Sequence, residues 1–518
     1  MNIKEDAQHV LTTWVLIVFL AYFAALIGIA VFRTRQMQEM SDYVLAGRKV
    51  GSITSALSSS SSSTSGWTML VFPALAFMHG AVEFWTVFSI VFGFWLAWAV
   101  YAKRLRRYTI ATENSLTFPE FFEKRFEDKR GVLRTLSAAI ALFFIIFYIS
   151  SGLIAGSKLL NTVFGLDGIV GVLVTLVAVA SYTFIGGFLA VSRTDVFQAT
   201  IMLAGFIILP MTLLFLTSDP FQGLEGTAAG FWNPFTDASG KGVTVTFMLS
   251  TAGWGLGALG SLRILQRFMA VESEGRIRPS RDIGTLWASL IFLFGLLLGL
   301  VALPALGEVG RLDEVTADPE RLYLVAATVF FPPIIAGVLL SAVIAAVMST
   351  ADSQLLLASA MATDDLPIIR RYAYAKRYIY VLGAFARVWL GRFLLVVVGI
   401  IAALLSIFNP ESVFNLVSYA WGGMGAAFGP LILLALYWRR FNFWGALTSM
   451  LTGTVVASVW GYFSGGPAGI MDIQPATPGF IITIPIAVVV TLLTARPSEK
   501  TTEVFDDVAT GWSAAREL

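Results

Sequence analysis

Residues 52–77 read SITSALSSSSSSTSGWTMLVFPALAF, and 58–65 are eight consecutive hydroxyl residues. Apolar residues flank this run on both sides, so it lies inside a candidate membrane helix. Three interpretations are open: a Gly/Ser linker, a small-residue face packed against a neighbouring helix, or an unwound segment whose oxygens line a site. The apolar flanks argue against a linker, and our working hypothesis is the unwound segment.

The composition of the whole chain excludes a soluble protein. Of its 518 residues 57% are hydrophobic and 13% are charged, whereas soluble domains carry ~25% charged residues. We therefore expect an all-α polytopic membrane protein. The chain has no cysteine and two histidines, which excludes thiolate chemistry and leaves little for a metalloenzyme. A net charge of +2 argues against a nucleic-acid partner.

Apolar runs separated by polar breaks predict about thirteen transmembrane helices. They lie near residues 10–32, 53–77, 82–101, 135–161, 167–190, 196–217, 243–269, 284–306, 333–362, 391–408, 413–437, 442–463 and 478–495. The first run lacks the cationic start of a signal peptide and is too long for one. We therefore expect it to be a retained helix.

The positive residues test this count, because cytoplasmic loops carry an excess of lysine and arginine. With the N-terminus outside, 29 of the 35 basic residues fall on inner segments and four on outer segments. The split supports thirteen helices. It also predicts a multi-pass protein of the bacterial inner membrane with a cytoplasmic C-terminus.

Span seven carries a second interruption at 253–260, which reads GWGLGALG. Four glycines within eight residues of an apolar helix are compatible with close helix packing. Two interrupted helices five spans apart, however, are what a five-helix inverted repeat predicts, with the binding site at both interruptions.

Span nine contains the third concentration of polar residues. Ser349, Asp352 and Ser353 follow the i, i+3, i+4 pattern and share one helix face. An unpaired ionisable group at this depth costs ~2.5 kcal/mol or more, so a functional role is the default. Hydroxyl, carbonyl and carboxylate oxygens suit a small hard cation. The alternative is a structural ion pair between Asp352 and Arg263.

At these residues the chain resembles the sodium:solute symporter family, and within it the bacterial sodium/proline symporters. The segments that carry the resemblance are, in chain order, SDY (41–43) with GR (47–48), SGW (65–67), RFEDK (125–129), YTFIGGFLAVS (182–192), WGLG (254–257), RFMA (267–270), AAVMST (345–350), VSYAW (417–421) and GAAFGP (425–430). In this order they form a specific signature that extends through most of the chain.

The resemblance implies a single transport domain with a LeuT-type 5+5 inverted repeat core that operates by alternating access. Spans two to six would form repeat 1 at 53–217, and spans seven to eleven repeat 2 at 243–437. An extra first helix at 10–32, two extra helices at 442–495 and a cytoplasmic tail at 496–518 complete the chain.

The resemblance also implies a sodium site between spans two and nine. Its ligands would be the hydroxyls of Ser349 and Thr350 with backbone carbonyls near Ala56, Ser59 and Ala346. Sodium would be the coupling ion, and no other metal or cofactor is expected.

A second cation site or a charge relay is a further implication, with Ser63, Ser65, Asp195, Asp352 and Ser353 as candidates. Some relatives use the position of Asp195 for a second sodium or for proton transit, and a carboxylate at a helix start is the alternative. The sodium/proline symporters carry aspartate where this chain has Ser63, and usually a hydroxyl where it has Asp352. We hypothesise that the negative charge has moved to the neighbouring helix.

The substrate would bind at both interruptions. The candidate residues are Ser65, Gly66, Trp67, Trp254, Gly257, Ala258, Ser261 and Leu262. Three of these depart from the proline symporters, where an aromatic residue and a Gln-Pro pair are aligned with Ala258, Ser261 and Leu262. The indoles of Trp67 and Trp254 are suited to stack on an aliphatic ring or to meet a cationic amine.

These features predict sodium-coupled uptake of proline or a similar small zwitterionic amino acid. A symporter for another amino acid, a carboxylate or a sugar is the alternative, as is a proton-coupled variant. An enzyme would need a nucleophile or metal set, a channel would not concentrate its solute, and a sensor would usually carry a signalling domain. The expected partners are the solute, sodium and the lipid bilayer, in a monomer or weak oligomer.

Overall fold

The computed structural model describes residues 3–31, 40–221, 230–367, 377–409 and 412–511. Within these ranges all regular structure is helical, apart from two isolated bridges between Val50 and Val271 and between Thr236 and Gly242. This confirms the all-α expectation.

Nine helices lie in the first half of the described chain. They are α1 Ile3–Val31, α2 Met40–Leu45, α3 Ser52–Ser63, α4 Phe72–His79, α5 Phe84–Val100, α6 Ala102–Ala111, α7 Phe118–Arg125, α8 Val132–Phe164 and α9 Gly168–Leu216. Helix α9 contains a kink at Gly187, whose φ of 58° and ψ of −172° are open to glycine alone. Predicted spans five and six therefore meet at Gly187 instead of within 191–195.

Eleven helices follow in the second half of the described residues. They are α10 Val245–Gly260, α11 Leu262–Ala270, α12 Ile277–Glu308, α13 Leu312–Ala317, α14 Leu322–Phe330, α15 Pro333–Asp364, α16 Arg377–Phe408, α17 Val413–Tyr437, α18 Phe443–Tyr462, α19 Ala476–Leu493 and α20 Glu499–Thr510. Helices α10 and α11 are bent by 41° relative to each other.

Among the described residues, ten helices are long and apolar enough to cross a membrane, or eleven if the bent α10 and α11 form one span. The predicted count of thirteen is not confirmed. The difference arises at two places. The range Gly168–Phe184 is a short apolar helix that falls below the length of a full span, and Trp67–Val100 counts once although the chain turns at Gly80, whose φ is +81°.

Helix α15 is the central element of the bundle. It packs against α9, α8, α1, α16 and α3. In the most apolar stretch of α15, 83% is buried inside the protein, whereas the corresponding value for α1 is 28%. A helix that is apolar all round belongs in a protein interior. The polar residues of α15 therefore face other helices and not lipid, whereas α1 lies at the periphery.

Helix α20 forms most of the predicted tail and docks onto α6. Phe505 and Val508 are buried in this contact. Asp506 accepts hydrogen bonds from Arg439 at 2.8 and 2.9 Å, and Arg107 donates to the Val508 carbonyl at 3.3 Å. Residues 499–510 of the predicted tail thus form a helix packed on the bundle, and 512–518 lie outside the described residues.

Candidate functional site

The first interrupted helix is broken only at Thr64 and Ser65. Helix α3 continues to Ser63, Thr64 takes an extended conformation with ψ of 92°, and a π-helical turn begins at Trp67. Most of the serine run is therefore helical, contrary to the hypothesis that all of 58–65 is unwound. Ser63 and Thr64 donate to carbonyls one turn earlier, so their hydroxyls are satisfied within the helix and do not require it to unwind.

The second break lies after the glycine segment and not within it. Glycines 253, 255, 257 and 260 are all helical in α10, and the backbone leaves the helix at Ser261, with ψ of 97°. The glycines allow close packing instead. A Cβ built on Gly257 would lie 2.0 Å from Nε1 of Trp421, and one on Gly260 would lie 2.3 Å from the Met424 carbonyl oxygen.

The two breaks have the same local form. Thr64 and Ser261 each end one helical segment with an extended ψ close to 95°, and both residues are buried. Irregular backbone at membrane depth is tolerated only where protein or a cavity covers it. The two sites are therefore suited to line a cavity.

A cavity does lie beside both breaks. Its lining residues are Ser60, Ser63, Thr64, Trp67, Thr68, Ile90, Phe94, Tyr148, Trp254, Ala258, Ile264, Ala288, Phe292, Val417 and Trp421. It offers about 40 Å³ to the centres of water molecules, which is room for a few waters. The predicted hollow between the interrupted helices therefore exists, and it is narrow.

Aromatic side chains form one wall of this cavity. The rings of Trp67 and Trp254 stack with centroids 4.5 Å apart. Trp421 donates its Nε1 hydrogen to the Trp254 carbonyl at 2.9 Å. Tyr148 donates to Ser65 Oγ at 3.4 Å. The chain thus holds these rings together by both stacking and hydrogen bonds.

The predicted substrate residues divide into two groups. Trp67, Trp254 and Ala258 line the cavity, as does Ser63 from the predicted charge-relay group. The residues that do not line it are Ser65, Gly66, Gly257, Ser261 and Leu262. Gly66, for example, admits the Ala155 side chain of α8, which a Cβ would approach to 2.5 Å.

Several aromatic residues that line the cavity were not predicted from the sequence, namely Phe94, Tyr148, Phe292 and Trp421. Of these, Trp421 lies in the VSYAW segment, which is the one available signal. Phe94 and Phe292 stand in apolar helices where nothing local separates a lining ring from a core ring.

The hydroxyls of α15 meet the last turn of α3. Ser349 donates to the Ser61 carbonyl at 3.2 Å, and Thr350 donates to the Ser62 carbonyl at 3.0 Å. Ser349 also contacts the Ala346 carbonyl at 3.3 Å. Ser349, Thr350 and Ala346 thus lie together next to the end of α3.

Among the described residues, no hydrogen bond joins the Ala56 or Ser59 carbonyl to α15, and these two predicted ligands remain predictions. The Ala56 carbonyl faces α12, where a Cβ on Gly284 would lie 3.4 Å from it. The Ser59 carbonyl accepts hydrogen bonds from Ser62 and Ser63 of its own helix. The carbonyls opposite α15 belong to residues nearer the break, because α3 remains helical up to Ser63.

A buried charged cluster lies one turn further along α15. Asp195 accepts hydrogen bonds from Ser58 at 2.6 Å and from Arg267 at 3.3 Å. Arg267 also donates to Ser353 at 2.5 Å. Asp352 accepts a hydrogen bond from Tyr182. Both aspartates are 0% exposed.

Two interpretations made from sequence are corrected by this cluster. Asp352 makes no ion pair with Arg263 among the described residues; the guanidinium of the cluster is that of Arg267. Asp195 is not at a helix start, because it lies eight residues after the kink at Gly187 and pairs with Arg267. The repeated arginines on α11, one turn apart, explain why spacing alone selected the wrong one.

Glu83 is a buried carboxylate near the start of α5. Its side chain is buried, accepts a hydrogen bond from Thr86 at 2.7 Å and meets His79 Nδ1 at 2.7 Å. The turn at Gly80 brings this histidine and carboxylate together, and it explains the burial of a residue near a helix end.

The two ends of the cavity are closed differently. On one side a wider cleft reaches the cavity wall, and Trp254 lines both spaces. On the other side the backbone is tied together by hydrogen bonds. Arg48 donates to the carbonyls of Met269 at 2.7 Å and Ser115 at 2.9 Å, and Glu272 N donates to the Val50 carbonyl at 3.0 Å.

Comparisons with known proteins agree with this architecture. The chain is 35% identical over 492 residues to the osmoregulated proline transporter OpuE of Bacillus subtilis (strain 168), covering 93% of this chain and 96% of the relative. It is 36% identical over 492 residues to the sodium/proline symporter of Escherichia coli (strain K12), with coverages of 94% and 95%. The solved structure of a Na⁺-coupled sialic acid symporter has the same fold, with a TM-score of 0.76 at 18% identity, over 94% of this chain and 99% of that one.

The family model for "Sodium:solute symporter family" matches residues 43–453. This match spans most of the chain and includes both interrupted helices and α15. The fold shared with the sialic acid symporter confirms the predicted fold class. The protein is therefore an integral membrane transporter and not an enzyme, and it belongs to the sodium:solute symporter family.

Proposed function

We propose that this protein carries proline, or a similar small zwitterionic amino acid, across the membrane together with sodium. The observation that carries the proposal is the cavity shared by two broken helices, in a chain whose full-length relatives are proline transporters. One sodium charge moving through 100 mV releases ~2.3 kcal/mol, enough to concentrate a neutral zwitterion roughly 40-fold. No bond chemistry and no cofactor besides the coupling ion are required.

The proposed sodium site lies between the end of α3 and α15. Its oxygens are the carbonyls of Ser61 and Ser62, the hydroxyls of Ser349 and Thr350, and the carbonyl of Ala346. Each hydroxyl donates to a carbonyl across the helix interface. A sodium ion would replace these hydrogen bonds by contacts to all of the oxygens, which are the hard ligands that such a cation prefers. Binding would thus draw α3 and α15 together around the ion.

The charged cluster is the proposed second cation site or charge relay. Asp195, Asp352 and Arg267 together carry one excess negative charge when all are ionised. Within the described chain, one carboxylate oxygen of each aspartate has no hydrogen-bond donor. Because a buried charge without a partner is costly, we propose that a monovalent cation or a proton balances the cluster during transport, with Ser353 nearby.

The solute would bind against Trp67 and Trp254. Their stacked indoles offer an apolar face to an aliphatic ring and an electron-rich face to an ammonium group. The present cavity is too small for such a solute, so the walls must move apart to admit it. Sodium would act by favouring one of the existing conformations.

The domain organisation and membrane orientation belong to the same proposal. We propose repeats at 53–217 and 243–437, thirteen crossings in total, an outer N-terminus and a cytoplasmic tail. The matching breaks at Thr64 and Ser261 support the repeats, and the asymmetry of basic residues supports the orientation. A monomer or a weak oligomer would suffice for transport.

Uptake into proteoliposomes tests the function. Labelled proline should accumulate when sodium is high outside, and it should not accumulate when choline replaces sodium. Other amino acids, carboxylates and sugars belong in the same panel, because Ala258 opens the pocket where the proline symporters have a larger residue. Uptake of another solute would replace proline in the proposal. Absence of any sodium dependence would overturn the ion assignment.

The orientation has an independent test, since the chain contains no cysteine. A single cysteine at Lys241→Cys should react with an impermeant thiol reagent added to intact cells, and one at Lys500→Cys should react only after the cells are opened. The reverse pattern would contradict the proposed orientation.

A further inference from the structure

Arg263 is a buried cation whose hydrogen-bonding groups are unused. It is the second residue of α11, directly after the break at Ser261, and its side chain is 0% exposed. In the described chain, Nε, Nη1 and Nη2 of Arg263 have no hydrogen-bond acceptor. Buried arginines normally donate several hydrogen bonds, so this side chain is set up for a partner that the protein itself does not supply.

The surroundings of Arg263 place it just behind the solute cavity. Its Cζ lies 4.1 Å from the ring centroid of Tyr148 and 5.4 Å from that of Trp421. Both rings line the cavity. Ring faces attract a guanidinium, but they do not satisfy its in-plane N–H donors. One layer of aromatic side chains therefore separates an unsatisfied cation from the cavity.

The next arginine on the same helix shows the contrast. Arg267 lies one turn later and donates to Ser58, Ser353 and Asp195. Helix α11 thus carries one guanidinium that is satisfied by protein groups and one that is not. Ser261 adds a second donor near Arg263, because its hydroxyl is buried and has no hydrogen-bond partner among the described residues.

We propose that Arg263 is the receptor for a carboxylate group of the transported solute. The inference rests on the proposed function and narrows its substrate class. The planar fork of a guanidinium matches a carboxylate with two parallel hydrogen bonds. The cavity holds only a few waters, so its walls must move to admit any larger solute. The carboxylate reaches Arg263 when this movement displaces the rings of Tyr148 and Trp421. Ser261 supplies an additional donor.

The substrate class follows from the cost of leaving Arg263 unpaired. A bound carboxylate neutralises the guanidinium, whereas an amide or a sugar leaves it buried without an anion. A site built to hydrogen-bond a substrate group strongly rejects analogues that lack the group. The protein should therefore prefer acids to their matched amides, and sugars are excluded as substrates.

Ligand-induced stabilisation of the full-length protein in detergent tests the inference. The probes are proline, lactate and glutamate, each beside its amide, and chloride alone, all in sodium. The wild-type protein should be stabilised by at least one acid and not by the matching amide. Arg263→Gln should raise the apparent Kd for that acid about 10-fold to 100-fold, and Arg263→Lys should cause a smaller increase.

Arg125→Gln is the matched control. Arg125 is also a buried arginine beside aromatic rings, at 5.2 Å from Tyr108 and 5.0 Å from Phe126, but it is remote from the cavity. Its acid binding should equal that of the wild type. Equal loss in both variants, unchanged acid affinity in Arg263→Gln, or Arg263-dependent stabilisation by chloride but by no acid would each overturn the inference.

The same experiment separates this inference from the proposed function. Sodium alone should change the intrinsic tryptophan fluorescence of both the wild type and Arg263→Gln, because the proposed sodium oxygens lie on α3 and α15 and not on α11. Loss of the sodium response in every variant would contradict the proposed coupling. An Arg263-dependent preference for an acid other than proline would retain the receptor and change the solute.

Discussion

Asp352 decides the charge balance in the centre of this transporter. Its carboxylate and that of Asp195 are both buried, and the guanidinium of the cluster, Arg267, donates to Asp195 and to Ser353 beside Asp352. Asp352 was a functional candidate from the sequence because a charge at membrane depth is costly, and Asp195 was one because the family resemblance implied it. Sequence analysis could not identify their partner, since the choice between Arg263 and Arg267 depends on how α11 is rotated against α3 and α9.

Replacing Asp352 by Asn should weaken sodium binding far more than replacing Ser63 by Ala. We expect the half-saturating sodium concentration to rise about 10-fold to 100-fold in Asp352→Asn, because a negative charge near the α3–α15 interface is lost. The Ser63 hydroxyl donates only to the Ser59 carbonyl of its own helix. The sodium dependence of uptake measures both effects. Equal shifts in the two variants would contradict the hypothesis that the charge has moved to α15.

The hydroxyl of Ser349 should be more important than a similar hydroxyl on the same helix. Ser349→Ala removes an oxygen that faces the Ser61 carbonyl, and we expect at least a 10-fold loss of sodium affinity. Ser341→Ala is the control, because that buried hydroxyl donates one turn back to Gly337 at 2.8 Å. Sodium titrations of intrinsic fluorescence compare the two. A similar loss in both variants would argue against the proposed sodium oxygens.

The carbonyl partners of Ser349 were harder to predict than the hydroxyls. The family resemblance named the Ser349 and Thr350 hydroxyls directly, because side-chain ligands are carried by residue identity. Which turn of α3 lies opposite depends on the packing of two helices and on where α3 ends. The family resemblance indicated Ala56 and Ser59, whereas the contacts fall on Ser61 and Ser62.

The broken helices show which property of an element can be predicted from its sequence. The existence of two interruptions, their separation and their common cavity were predictable, because polar or glycine-rich runs are rare within apolar helices. Their residues were not. Serine hydroxyls bonded back to carbonyls are accommodated within α3, and the glycines of α10 allow close contacts with α5 and α17, which only the packed bundle reveals.

Helix α10 should tolerate no added methyl group at Gly257. Gly257→Ala would place a Cβ against Trp421 and disturb its hydrogen bond to the Trp254 carbonyl. Overpacking of this kind costs about 1–3 kcal/mol. Gly307→Ala is the control, because nothing lies within 4 Å of a Cβ at this glycine in α12. Thermal unfolding should show a lower Tm for Gly257→Ala alone; equal Tm values would contradict the packing role.

At one end of the molecule, the tail helix α20 packs against α6. We expect Phe505→Ala to release this helix, because Phe505 is buried against the ring of Tyr108 at 6.4 Å. Asp506→Asn should leave it docked, since exposed ion pairs contribute little. Limited proteolysis of the tail distinguishes the two variants. Rapid cleavage of Asp506→Asn would show that the ion pair, and not the apolar contact, holds the helix.

The pH dependence of tail docking follows from the same contact. The hydrogen bond from Arg439 lowers the pKa of Asp506 below its usual value. A carboxylate with a lowered pKa contributes to the folded state above its ordinary pKa of ~3.9, and the contribution is lost as the pH falls through the lowered pKa. Proteolysis of the wild-type tail should therefore be insensitive to pH between about 5 and 8, and a transition in that range would contradict this assignment.

The unequal closure of the cavity has a consequence for the kinetics of the transport cycle. Towards the wider cleft, Trp254 is the residue that lines both spaces, and its indole is stacked on Trp67. Towards Arg48 the separation is made by hydrogen bonds from the Arg48 side chain and between the backbones of Val50 and Glu272, which must break together. Opening of the hydrogen-bonded side at Arg48 should therefore limit turnover. A shorter side chain at position 254 should allow the bound solute to dissociate towards the cleft before that side opens.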